Sequence, residues 1–220
     1  MNAMPTSIKQ AIALFVTVFI LGIAYYGNYL PLRKSESFIE ATRQIGSARS
    51  LNQFQAIMAV PLDGPSPIGQ EELVRNLASF VTDILRSPSG RDPHLTEAIL
   101  TYLYKYYDPI IKHGTGMSFE QNLYVLGLAN QLAYVQTHED RYLKDSENFY
   151  LMGNQLAPKR PQPLYGLFDI YRLSNNIGKA KEVSIQILKL WPEDTQVRTV
   201  LGQIMRIETG VPAPTASPKK

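Results

Sequence analysis

The chain predicts an all-α protein: a single transmembrane helix at the amino terminus, then a short α-solenoid of stacked α-α hairpins. Three observations carry this. An uncharged run of 23 residues, Gln10–Leu32, lies near the amino terminus. Beyond it, apolar side chains recur at helical spacing, and no segment alternates as a strand would. Finally, Leu156-Ala157-Pro158 recurs 34 residues later as Leu190-Trp191-Pro192, each copy closing one apolar stretch and preceding another. A period of that length ending in proline is the pattern of a helical hairpin that stacks on copies of itself.

Within the first run, Ala11–Tyr26 is apolar almost throughout. At about 1.5 Å of rise per residue, roughly 20 helical residues cross a hydrocarbon core of about 30 Å, which assigns 11–30 to the bilayer and 1–10 to a tail. Tyr25, Tyr26 and Tyr29 fall where amphipathic rings favour the interface. Pro31 is expected to end or bend the helix, with Arg33 and Lys34 among the headgroups. A cleavable signal peptide is the alternative, with Lys9 before the apolar core and Gly22-Ile23-Ala24 as the small-residue site. Arg33, Lys34, Arg43 and Arg49 follow the span and only Lys9 precedes it, which favours a cytoplasmic body. A short tail before one apolar segment is equally the layout of a signal anchor, and the expectation adopted is a single-pass protein with an extracytoplasmic body.

Over 31–65, Phe38, Ile39, Thr42 and Ile45 form one amphipathic face and Leu51–Val60 a second short helix. Pro61–Pro67 reads as a loop, since three prolines and a glycine punctuate it. A hairpin is expected over 66–117. Its first helix carries Leu73, Val74, Leu77, Phe80, Val81 and Ile84 on one stripe. Its second opens with Asp92 as cap and Pro93 at the first position and stops at Asp108-Pro109. Over 118–207, Ser118-Phe-Glu-Gln121 has the form of a capping box, Thr137–Asp140 caps the following helix, and Asp194 caps the last. The Pro/Ala-rich tail over 208–220 is too poor in apolar bulk to fold.

The hairpins resemble tetratricopeptide repeats. With Pro192 at that family's frequent proline, one unit covers 161–194, and its packing positions fall on Leu164, Leu167, Phe168, Tyr171, Ala180, Ser184 and Ile187. The first four follow i, i+3, i+4, i+7, a single helix face. Leu201-Gly202 matches the family's Leu-Gly pair in a final capping helix. Leu126-Gly127 matches it in a preceding hairpin whose proline, Pro158, comes seven residues late. Phe168 departs from the family's small residue. A second resemblance, carried by Asn28–Ser35, Phe38–Ala41 and Ser66–Asn76, is to the C-terminal region of O-antigen ligase or polymerase-like membrane proteins. The multi-span catalytic part of that family has no counterpart here, so the resemblance implies an envelope-polysaccharide context and no glycan transfer.

Chemistry-bearing motifs are sparse. The sequence contains no cysteine, which removes disulfides, thiol nucleophiles and Cys-ligated zinc. His94, His113 and His138 have no partner at metal-ligand spacing, so no metal or cofactor is expected. Glu71-Glu72 and Glu139-Asp140 sit in first helical turns, where negative charge complements the helix dipole. Ten Lys/Arg and nine Asp/Glu across 118–206 describe a solvated surface rather than a nucleic-acid footprint. Tyr102–Tyr107 is tyrosine-rich and reads as packing, with sugar or peptide stacking as the alternative.

The repeat resemblance implies a binding groove lined by Gln162, Tyr165, Asp169 and Arg172 on one helix and Gln196, Thr199, Gln203 and Arg206 on the next. The expected function is a membrane-anchored scaffold or adaptor, not an enzyme, that holds a protein or peptide partner at the cell envelope. The alternative is an accessory or detached part of an O-antigen ligase or polymerase-like system.

Overall fold

The computed structural model describes residues 5–209, without the side chains of 116, 117 and 207–209. Residues 210–220 of the expected tail lie outside the described residues. Every regular element among the described residues is helical, with no strand. The chain forms two compact units, Met1–Phe80 with Glu97–Asp108, and Val81–Thr96 with Pro109–Lys220. The segment 66–117, expected as one hairpin, is shared between them.

In the first unit, α1 (Thr6–Ala24), a π-helical turn (Tyr25–Tyr29) and α2 (Leu30–Ile45) run as one uninterrupted helix of 40 residues. Among the described residues this is the one helix long and apolar enough to cross a membrane, and α1 buries none of its side chains. The tyrosines cluster at the π turn, Tyr25 stacked on Tyr29 at 5.5 Å and edge-on to Tyr26 at 5.3 Å. Pro31 does not break the helix. It sits in the first turn of α2, directly after the π turn, whose wider bonding pattern absorbs a residue lacking an N–H.

Helix α2 packs on α3 (Leu51–Asp63), which Ser50 caps by accepting the N–H of Gln53 at 3.2 Å. Pro61, expected in a loop, lies in the last turn of α3 with its ring buried beside Leu62. Lys34 turns inward rather than toward solvent. Its Nζ donates to the Gly64 carbonyl at 2.8 Å and to Gln70 Oε1, while Gln70 Nε2 donates to the Leu62 carbonyl at 3.1 Å. Burial depresses the Lys34 pKa, with the Asp63 carboxylate opposing. The first unit also takes in residues 70–80 of α4 (Gln70–Arg86) and 97–108 of α5 (Pro93–His113). The tyrosines of α5 pack here: Tyr102 donates to the Gln55 carbonyl and Tyr106 to Asp63, both at 3.1 Å. Helix α5 continues past Asp108, with Pro109 inside its last turn and Ile110 buried.

In the second unit α6 (Gly116–Thr137), α7 (Asp140–Leu156), α8 (Pro161–Leu173), α9 (Ile177–Leu190) and α10 (Thr195–Thr209) follow in order, each packed on the next. Helices α6 and α7 have 22 and 17 residues against 13 and 14 for α8 and α9, which accounts for the late Pro158. The caps partly differ from expectation. Helix α6 begins a turn before Ser118, with Thr115 as N-cap, and ends at His138 in the left-handed conformation, φ 58°. Asp92 and Asp194 cap as expected, accepting the N–H of His94 and of Val197, each at 2.9 Å.

All seven packing positions assigned to 161–194 are buried. The hub of this core is Tyr150 on α7, whose ring lies against two glycines. A Cβ built at Gly127 or at Gly166 would come within 2.5 Å of its ring. The Tyr150 hydroxyl donates to Gln131 Oε1 at 2.7 Å, so the ring is fixed at its polar end as well.

Candidate functional site

The candidate groove residues divide into two groups. On α8 the apolar face of Leu164, Leu167, Phe168 and Tyr171 enters the core, which rotates Tyr165, Asp169 and Arg172 onto the adjoining face. On α10, Val197 and Ile204 enter the core, and Thr199, Gln203 and Arg206 stay exposed with Gln196. Gln162 is exposed at the start of α8.

Tyr165 is already engaged. Its hydroxyl donates to Asp194 Oδ2, and its ring lies against Trp191 with centroids 6.2 Å apart. It therefore clasps α8 to the N-cap of α10. Burial, then the hydrogen bond to the carboxylate, push the Tyr165 pKa up to about 12. The same bond and the backbone N–H of Val197 hold Asp194 below its ordinary 3.8. A general acid or base works best with a pKa near the ambient pH, and both members of this pair are driven away from neutrality. They form a structural clasp.

Asp169 and Arg172 pair at 3.6 Å one turn apart, both half-exposed, and the guanidinium carbon lies 5.1 Å over the Phe168 ring. Burial raises the Asp169 pKa and Arg172 partly offsets this. Thr199 returns its hydroxyl to the Thr195 carbonyl at 2.7 Å. Sequence reasoning missed Tyr124 on α6. It is electrostatically coupled to Asp169 and to Arg86, and its ring lies 5.9 Å from that of Tyr150. Tyr124 precedes Leu126-Gly127 by the same two residues that separate Tyr165 from Leu167-Phe168, so the register was available. Hydroxyl, carboxylate, guanidinium and amide groups thus share this region, an assortment suited to hydrogen-bonding a peptide backbone and its polar side chains.

A cleft of about 360 Å³ lies between α7 and α8, lined by Tyr134, Leu143, Lys144, Glu147 and Tyr171 among others. Glu147 Oε1 accepts from Lys179 at 2.5 Å and from Tyr171 at 2.8 Å. Burial pushes the Glu147 carboxyl up, but these two hydrogen bonds and the Lys179 charge outweigh it and leave it below 4.5. Glu147 and Asp194 both have depressed folded-state pKa values, so their stabilising contribution is complete above the ordinary values of 4.5 and 3.8 and is lost as pH falls through the lower folded ones. Thermal unfolding followed from pH 6 to pH 2.5 should show an acid limb that begins below about 4.5, and Glu147→Gln with Asp194→Asn should flatten it. An unchanged acid limb in the double variant would assign the loss to other carboxylates. At neutral pH, Asp194→Ala alone should cost about 1 kcal/mol through the lost cap.

His94 and His113 lie at opposite ends of α5 and His138 closes α6, and among the described residues no group of three or more metal-ligating side chains converges. Compared with family models, curated proteins and solved structures, the chain has no match.

Proposed function

We propose that the protein is a membrane-anchored helical scaffold whose α8–α10 face holds a peptide segment or helix of a protein partner at the cell envelope. One observation carries this: polar groups persist along one face of α8 and of α10 while Leu164, Leu167, Phe168 and Tyr171 on α8 and Val197 and Ile204 on α10 are buried. The likeness of 161–194 to a tetratricopeptide unit supports the same assignment, because in that family this face lines the binding groove. In this reading the exposed apolar α1 is the anchor, which its length and composition support, and the body stands on the extracytoplasmic side. The scaffold holds its partner and does not transform it.

The test is photocrosslinking in native membranes from Gln203, followed by identification of the captured protein. Arg172→Ala with Arg206→Ala should reduce recovery of that protein several-fold, since guanidinium groups grip partner carboxylates strongly. Unchanged recovery removes the groove role. Capture of a multi-span polysaccharide ligase or polymerase would instead identify the chain as an accessory part of that system.

A further inference from the structure

We propose that the loop 64–69 is a second point of attachment to the bilayer, with Ile68 seated in the interfacial layer beside the spanning helix. This rests on α1 crossing a membrane. With 11–30 in the hydrocarbon, Lys34 lies four residues beyond its edge, about 6 Å along the helix axis. The polar layer on each side of a bilayer is about 5–7 Å deep, so Lys34 stands at headgroup level.

Lys34 fixes the height of the loop. Its Nζ bonds the Gly64 carbonyl at one end and the Gln70 side chain at the other, and Gln70 in turn holds the Leu62 carbonyl. Both ends of the loop are therefore pinned one turn past the tyrosine cluster of the π turn. The contact of Gly64 with Lys34 also sets direction. Helix α3 ends where α2 begins, so α3 descends toward the bilayer and the loop is the membrane-proximal turn of this unit.

The loop is built to present a side chain. Ser66 Oγ donates to the Ile68 carbonyl at 2.8 Å and accepts the Ile68 N–H at 3.4 Å. Pro65 and Pro67 restrict the backbone before it, and Gly69 takes φ 86° after it. Ile68 is left 62% exposed, and Val60 in the last turn of α3 is 64% exposed. A small, stiff loop that points an isoleucine outward at headgroup height has apolar lipid as its natural cover. Glu71 and Glu72 follow at the start of α4 and limit the insertion to interfacial depth.

The chain contains no cysteine, so single labels report cleanly. Spin labels at Ile68→Cys, Phe15→Cys and Gln186→Cys would be introduced one at a time into the full chain. Each protein would be reconstituted in phosphatidylcholine–phosphatidylglycerol vesicles, and collision rates with oxygen and with a water-soluble nickel chelate measured. The expected result is Phe15 in hydrocarbon, Gln186 in water, and Ile68 between them, with nickel collisions several-fold below those at Gln186. Phe15 in hydrocarbon with Ile68 as nickel-accessible as Gln186 overturns the loop contact and leaves the span intact. Phe15 as accessible as Gln186 overturns both.

Discussion

Gly166→Ala is expected to lower the melting temperature of the full chain in detergent by roughly 4–8 °C, a loss of about 2 kcal/mol. An alanine inside a helix would ordinarily gain up to about 1 kcal/mol over glycine. Here the added methyl would lie 2.5 Å from the Tyr150 ring, a fully buried side chain. The ring also lies hard against Gly127, where a Cβ would approach to 2.5 Å, and Gln131 holds its hydroxyl. The overpacking penalty should therefore fall near the top of its usual range of about 1–3 kcal/mol and outweigh the propensity gain. Gly127→Ala should behave alike, and the pair should combine non-additively because both press on one ring. In a Tyr150→Leu background the penalty should disappear and Gly166→Ala become neutral or mildly stabilising. A wild-type melting temperature for Gly166→Ala in the Tyr150 protein would refute the glycine-lined slot.

Arg160→Ala is expected to cost about 2–4 kcal/mol. Glu120 on α6 has a side chain only 2% exposed, and Arg160, the N-cap residue of α8, pairs with its Oε2 at 2.8 Å. The other carboxylate oxygen has no hydrogen-bond partner among the described residues. Removing one member of a buried pair typically costs about 3–5 kcal/mol, because an uncompensated charge stays behind. The lower figure here reflects the partial exposure of the arginine, through which water can reach the pair. Replacing both residues, Glu120→Leu with Arg160→Met, should restore most of the loss, since desolvation of the ions is removed along with their attraction. Chemical denaturation of the three proteins measures this, and a loss under 0.5 kcal/mol for Arg160→Ala would remove the pair from the account of how α8 is placed.

Much of the helical plan was legible because it depends on local signals. The tetratricopeptide pattern laid on 161–194 picked out seven packing positions that are all buried, four of them also marked by helical periodicity, and Asp92-Pro93 and Asp194 announced the helix starts they make. Prolines were misleading in each helix where tertiary structure outweighed local cost. Pro61 is kept in α3 by burial of its own ring, Pro109 in α5 beside buried Ile110, and Pro31 in α2 by the π turn before it. The site was less legible. Periodicity separates buried from exposed positions, but it cannot show that Tyr165 spends its hydroxyl on Asp194. Nor could it show that Lys34, expected among headgroups, reaches two groups 30 and 36 residues away.

The unbroken helix from Thr6 to Ile45 has a mechanical consequence. Forty helical residues make a rod about 60 Å long, and no slack linker separates its apolar part from the part that carries α3. With the apolar part in a bilayer, the rotational phase of the rod decides which way α3 and the Lys34-held loop face. Each residue of an α-helix advances that phase by about 100°. Deleting one residue from the regular α-helix between the apolar part and Lys34 would swing α3 and the loop around the axis by about that angle. The number of residues between the apolar part and Lys34 is in this sense an angular setting for α3 and the loop it carries.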